Sequence, residues 1–261
     1  MARGILWTVG ILVAVFLLAP IAVILPLSFS AGSFLFYPLP GLSLRWYEDF
    51  FASPFWLPSF WNSLLIGGAA AGLASALGTP AAFGLWRMTG AWRGVVMGLV
   101  LAPMVVPVIV VAVALLLAFG PIGLVSTYTG MILGHAMLGA PFVVVTVLAS
   151  LEGFDPVQLR AAAACGAGPL KAFFRVCLPQ IAPGVAAGAV FAFATSLDEV
   201  VIALFIAGPA QRTLPRQMFA GLNDQISLTT TAAATMLVGL SVVLLLTVSW
   251  LQARGKRRSG G

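Results

Sequence analysis

Six long apolar runs divide this chain, and its charged residues lie almost wholly between them. The runs cover residues 5–29, 62–86, 95–119, 129–150, 184–207 and 229–251. Each has the roughly 20 residues a helix needs to cross about 30 Å of hydrocarbon. In that medium no water satisfies backbone N–H and C=O groups, so each run must close its own hydrogen bonds as a helix. Charged residues make up 8% of the chain and its mean hydropathy is +1.09, against roughly 25% charge in soluble domains. These features predict an all-α polytopic membrane protein with six transmembrane helices in one domain, 1–261. The first run is too long for a signal-peptide core and no small-residue cleavage pattern ends it, which fits a retained anchor.

The net charge of +6 sits between apolar runs, without the aromatic-interleaved basic stripe of a nucleic-acid binder, so it reports orientation. With both termini in the cytoplasm, the inner cations are Arg3, Arg87, Arg93, Arg160, Lys171, Arg175, Arg254, Lys256, Arg257 and Arg258. Only Arg45, Arg212 and Arg216 then face outward. That imbalance places the long loop 151–183 in the cytoplasm. Outside, residues 30–61 carry Trp46, Tyr47, Trp56 and Trp61, the residue types of an interfacial belt.

Several features predict irregular or closely packed helices. Pro103 and Pro107 each remove a ladder hydrogen bond, so the third run should be kinked or broken where it shapes a cavity. Gly68-x-x-x-Gly72, Gly130-x-x-x-Gly134 and Gly184-x-x-x-Gly188 are spacings that let a second helix approach. His135 stands alone, which suits an interhelical hydrogen bond better than a metal site or proton relay. Cys165 and Cys177 lack metal or redox spacing and read as small buried apolar residues.

Asp198 and Glu199 are the only acids inside an apolar run. A charge at the centre of a spanning helix costs roughly 2.5–3.5 kcal/mol, so adjacent acids imply a wet cavity or a cation. On a continuous helix they point about 100° apart. A long polycation would suit them, with Thr195 and Ser196 as auxiliary oxygens; ion pairs with Arg212 and Arg216 or with a partner are the bland alternative. No G-x-x-x-x-G-K-[ST] phosphate loop is present, so any motor must be another polypeptide; no catalytic residue, cofactor or metal is expected in this chain.

In the loop, Lys171 and Arg175 share one helical face while Leu170, Phe173, Phe174 and Cys177 lie opposite. Pro169 suits a first turn, Gly166 and Gly168 a hinge, and Pro179 and Pro183 a stop, giving two short helices. The segment DPVQLRAAAACGAGPLKAFFRVCLPQIAPG resembles the EAA loop of ATP-binding-cassette importer permeases through Ala161, Ala162, Gly166, Leu178 and Pro179. Arg160 stands where that family usually has an acid. HAMLGAPFVVVTVLASL and SLDEVVIALFIAGP resemble the polyamine-transport branch.

The resemblance implies a type I importer permease fold in a bacterial inner membrane, with residues 151–183 supplying cytoplasmic coupling helices. It implies a second permease chain, a cytosolic ATPase dimer carrying ATP and magnesium, and a periplasmic binding protein. Arg160, Ala161, Ala162, Gly166, Leu170, Phe173, Phe174, Leu178 and Pro179 would contact the ATPase. Spermidine or putrescine would be the cargo. Opine, amino-acid-like or phosphonate cargo stays open, as does a stand-alone ion-coupled transporter or cation channel.

Overall fold

The computed structural model describes residues 2–224 and 227–259, which among them hold twelve α-helices and a single antiparallel bridge, Ser30 to Leu42. The basic tail Arg254, Lys256, Arg257 and Arg258, together with Arg3 and Asp224, lies outside the described side chains. The helices are α1 (Ala2–Leu27), α2 (Arg45–Ala52), α3 (Trp56–Arg87), α4 (Ala91–Val105), α5 (Val108–Phe119) and α6 (Tyr128–Glu152). They continue as α7 (Val157–Ala164), α8 (Pro169–Ala172), α9 (Leu178–Asp198), α10 (Val201–Ile206), α11 (Leu214–Asp224) and α12 (Leu228–Ser259). Five stretches are long and apolar enough to cross a membrane, and a sixth arises if α4 and α5, bent by 101°, form one crossing. Pro107 sits at that bend as the cap of α5, where its missing N–H is not needed, while Pro103 lies inside α4.

The chain forms two compact units. One comprises Met1–Pro58 and Gln217–Ser241. Within it, the segment after α1 is folded by its own polar groups. Arg45 donates to the Gly32 carbonyl at 2.5 Å and to Ser33 Oγ at 3.0 Å, and its guanidinium lies 4.2 Å over the Trp46 ring. Trp46 Nε1 donates to the Ser30 carbonyl at 2.8 Å. Tyr47 pairs with Ser28 and stacks near Phe29, while Phe50 is fully buried.

The other unit, Ser59–Arg216 and Val242–Gly261, contains two apolar clusters. Ala71, Ala74 and Leu85 of α3, Val143, Val147 and Leu151 of α6, and Cys177, Ile181 and Ala192 make the first. Ile66, Val111, Leu115, Met131, Ile202 and Ile206 anchor the second. The seam between α6 and α9 is close because glycines face side chains across it. A Cβ on Gly139 would stand 2.8 Å from Ala192 Cβ, one on Gly188 would overlap Thr146 Oγ1 and lie 2.8 Å from Val143 Cα, and one on Gly184 would overlap Ser150 Oγ. Gly68 and Gly72, expected to admit a helix, are instead exposed with open space around them, because α3 turns its Ala71, Ala74 and Gly78 face inward.

Two expectations about the fifth run are corrected. Pro179 and Pro183 do not close a loop: an unbroken helical stretch runs from Pro169 to Asp198. Pro179 occupies the first turn of α9, Pro183 lies inside it, and a π turn at Phe173–Cys177 precedes them, with Leu178 N–H reaching back to the Phe173 carbonyl. A proline at 179 can neither donate to the Arg175 carbonyl nor tolerate it at α-helical spacing, and the widened turn relieves that conflict. At the other end, the helix stops at Asp198 rather than at Ala207.

The seam gives a direct test. Gly188→Val should lower stability in detergent by about 1–3 kcal/mol through overpacking. Gly72→Ala should leave thermal unfolding unchanged or raise its midpoint, since Ala is the better helix former in open space. Equal midpoints for Gly188→Val and the wild type would sink the seam assignment.

Candidate functional site

The acids sit at a helix break. Helix α9 ends at Asp198, Glu199 is extended (φ −76°, ψ 114°), and α10 begins at Val201. An interruption inside an apolar run needs partners for the freed amides. Glu199 provides one: its Oε1 accepts from the Ile202 N–H at 2.8 Å, placing a carboxylate at the N-terminal end of α10, where the helix dipole favours it. Asp198 is exposed and Glu199 half-buried. The angular argument for one continuous helix therefore does not hold, because the backbone turns between the two carboxylates.

The auxiliary oxygens separate. Thr195 Oγ1 donates to the Phe191 carbonyl at 2.9 Å within its own helix. Ser196, 4% exposed, faces α6 and lies 2.6 Å from His135 Nδ1. Ser196 thus belongs to the interhelical bond expected of His135, and burial removes it from an open cargo surface. His135 is 1% exposed, and its Nε2 has no partner among the described residues.

The far end of α10 is fastened by Arg216, expected as an ion-pair partner for the acids, and by Ser126, Asn62 and Tyr128. Arg216 Nη1 donates to the Ala207 and Gly208 carbonyls at 2.8 and 3.1 Å, a cation at a helix C-terminus. Burial, and then the neighbouring Arg212 charge, lowers the Arg216 pKa from its ordinary value. Ser126 N–H donates to the Ile206 carbonyl at 2.8 Å. Asn62 Nδ2 donates to the Ala210 and Arg212 carbonyls, and Tyr128 Oη donates to Asn62 Oδ1 and the Ala210 carbonyl. In the sequence Asn62 opens the second run and Tyr128 closes the turn before the fourth; only their polar character beside an apolar run hints at more.

The loop is built as two short helices. Asp155 Oδ1 caps α7 through the Val157 N–H at 2.9 Å. At the other end Gly166 has φ +80°, its N–H bonds the Ala163 carbonyl, and Ala167 N–H bonds the Ala162 carbonyl. That is a Schellman stop, which explains a glycine at this place after an alanine run. Arg160, Ala161 and Gly166 are exposed and Ala162 is half-buried. Pro179 is exposed as well.

The expected apolar docking face divides. Leu170 and Phe174 are outward, 75% and 59% exposed, with Lys171 and Arg175 beside them also exposed. Phe173 instead meets Phe83 at 4.9 Å between ring centroids, and with Leu178 it packs on the chain's own core. Cys177 is buried, but Cys165, expected to be buried, is exposed at the end of α7.

A many-helix membrane chain with a charged helix break and a projecting two-helix loop has the form of a transport permease. The chain belongs to the family of binding-protein-dependent transport system inner membrane components, which matches residues 74–258. It is the permease subunit of an ATP-binding-cassette importer, a transport subunit and not an enzyme. It is 32% identical to the spermidine/putrescine transport system permease protein PotC of Shigella flexneri over 94% of this chain and 92% of that one. Identity is also 32% to the putrescine transport system permease protein PotI of Escherichia coli (strain K12), over 97% of this chain and 92% of that one. The fold is shared with a bacterial importer of the acidic polysaccharide alginate, with TM-score 0.71, 17% identity and 96% of both chains covered. It is shared too with the inward-facing MetNI methionine transporter, with TM-score 0.56, 18% identity, and 78% of this chain and 94% of that one covered.

The His135 pair predicts a stability difference along one helix turn. Ser196→Ala should destabilise by about 1–3 kcal/mol, since both imidazole nitrogens would then be buried without a partner. Thr195→Ala should stay within about 0.5 kcal/mol. Thermal unfolding of the purified chain reads both, and an indifferent Ser196→Ala would contradict the pairing.

Proposed function

We propose that this chain forms half of the translocation path of an importer for small cationic polyamines of the spermidine and putrescine type. The observation that carries the cargo assignment is the acidic break at Asp198 and Glu199, in a chain 32% identical to PotC and PotI. The chain crosses the bacterial inner membrane six times with both termini in the cytoplasm. A second permease chain, related or identical, completes the path. A periplasmic binding protein delivers cargo, and a cytosolic ATPase dimer holding ATP and magnesium drives the cycle. The bend between α4 and α5, with Pro103 and Pro107, lines the cavity.

The proposed mechanism is alternating access between two states, without covalent chemistry in this chain. Cargo ammonium groups meet an exposed carboxylate at Asp198 and a half-buried one at Glu199, and each charge-assisted hydrogen bond replaces water lost on entry. On the cytoplasmic side, Leu170 and Phe174 enter the ATPase cleft, with Arg160, Ala161, Ala162, Gly166 and Pro179 around them. Phe173 and Leu178 support that surface from the core.

Asp198→Asn and Glu199→Gln test the acids. Glutamine keeps an oxygen for the Ile202 N–H, so the cap survives while the charge goes. Polyamine uptake by cells should fall by about tenfold or more for each, the scale of a charged hydrogen bond. Uptake at normal apparent affinity in both variants would reject the carboxylate reading.

Leu170→Asp and Phe174→Asp test docking, because both side chains are exposed and their replacement leaves the core intact. Each variant should insert normally yet fail to co-purify with its ATPase. Retained ATPase binding with normal ATP-driven uptake would refute the assignment.

A further inference from the structure

We infer that Asn62 and Tyr128 are positioning residues for the cargo carboxylates, acting through the loop that follows α10. The inference rests on Asp198 and Glu199 receiving the cargo. Helix α10 has only six residues, far short of what a helix needs to persist alone, so its setting is dictated by what holds its ends. Ile202, Ala203 and Ile206 bury one face against α5 and α6. Apolar burial is non-directional: it fixes which face is inward but leaves sliding along the axis and small rotations open. Hydrogen bonds, being directional, close those freedoms.

The bonds form a chain from α3 and α6 to the loop. Asn62 spends both Nδ2 hydrogens, on the Ala210 carbonyl at 2.8 Å and the Arg212 carbonyl at 3.0 Å. Its Oδ1 accepts from Tyr128 Oη at 2.9 Å, and the same hydroxyl lies 2.9 Å from the Ala210 carbonyl. One asparagine near the start of α3 and one tyrosine at the start of α6 thus meet on a single loop carbonyl. Next along, Leu214 N–H donates to the buried Ser63 Oγ at 2.8 Å. The loop cannot shift without breaking several of these bonds together. Because α10 is the short link between this loop and the break, its first turn is set from above, and the Glu199 carboxylate is bonded to that turn at Ile202.

The test uses the whole importer in proteoliposomes, with its ATPase and binding protein, and reads spermidine delivered per ATP hydrolysed. Tyr128→Phe removes one hydroxyl and is the decisive variant; Asn62→Ala removes the whole anchor. Each should lower the ratio by between about twofold and tenfold, the range spanned by one neutral hydrogen bond. Combined with Glu199→Gln, Tyr128→Phe should lower the ratio no further than Glu199→Gln does alone, since residues acting as one unit are not additive. An unchanged ratio in Tyr128→Phe, or a double variant falling by the product of the two single effects, would overturn the inference. So would a parallel fall in ATP hydrolysis and uptake that leaves the ratio untouched, the mark of general structural support. If Asp198→Asn and Glu199→Gln themselves leave the ratio unchanged, the carboxylate reading fails first and this inference falls with it.

Discussion

Hydrocarbon solvates no peptide group, and the helix interruptions at Pro107 and Glu199 are shaped by that constraint. At Pro107 the chain bends where the ring nitrogen has no hydrogen to lose, so the break frees one group fewer. At Glu199 a side-chain carboxylate takes over an amide that the ended ladder no longer serves. Beyond it, Arg216 and the Ser126 amide cover the carbonyls that α10 leaves behind. A charge expensive in a continuous helix becomes favourable at a break, since the same carboxylate caps a helix and remains accessible to a cation.

Close packing of α6 on α9 depends on a complementary device. Helices in lipid gain little from hydrophobic transfer between them, so contact must come from surface fit. Gly139, Gly184 and Gly188 remove side chains where Ala192, Ser150, Val143 and Thr146 stand opposite. The approach they allow brings Ser196 within 2.6 Å of His135. A single polar pair buried in such a seam fixes register, because a slide along the helix would strand both groups.

Much of this architecture is legible in residue order, and the failures have definite causes. The six apolar runs mark the helices, the Gly184 and Gly188 spacing marks the seam, and the solitary His135 finds the interhelical bond expected of it. Gly166 marks the hinge because only a glycine accepts φ +80° without strain. The fifth helix departs from its residue pattern at both ends. Prolines 179 and 183 look like terminators, yet Pro179 stands in a first turn behind a π turn that absorbs its conflict, and Pro183 lies inside the helix. Phe173 and Phe174 look like one apolar face, but neighbours on a helix point about 100° apart. Phe173 thereby enters the core while Phe174 points outward. The break at Glu199 leaves no trace in hydropathy, since apolar residues continue on both sides and the cap is visible only once the backbone is folded.

One consequence joins the two regions. From Pro169 to Asp198 the chain is a single helical stretch of 30 residues. At about 1.5 Å per residue its length is close to 45 Å, more than the hydrocarbon thickness. The exposed Leu170 and Phe174 therefore stand at one end of a rod whose other end is the acidic break. Between them only the π turn and Pro183 offer a joint, and Gly184 and Gly188 hold the rod tightly to α6. A packed seam passes displacement on as sliding or rotation rather than as bending, because interiors compress little. The stretch therefore has few places to bend between α8 and Asp198. At the break, Asp198 ends this stretch, and Glu199, extended beyond it, is bonded to the first turn of α10 at Ile202.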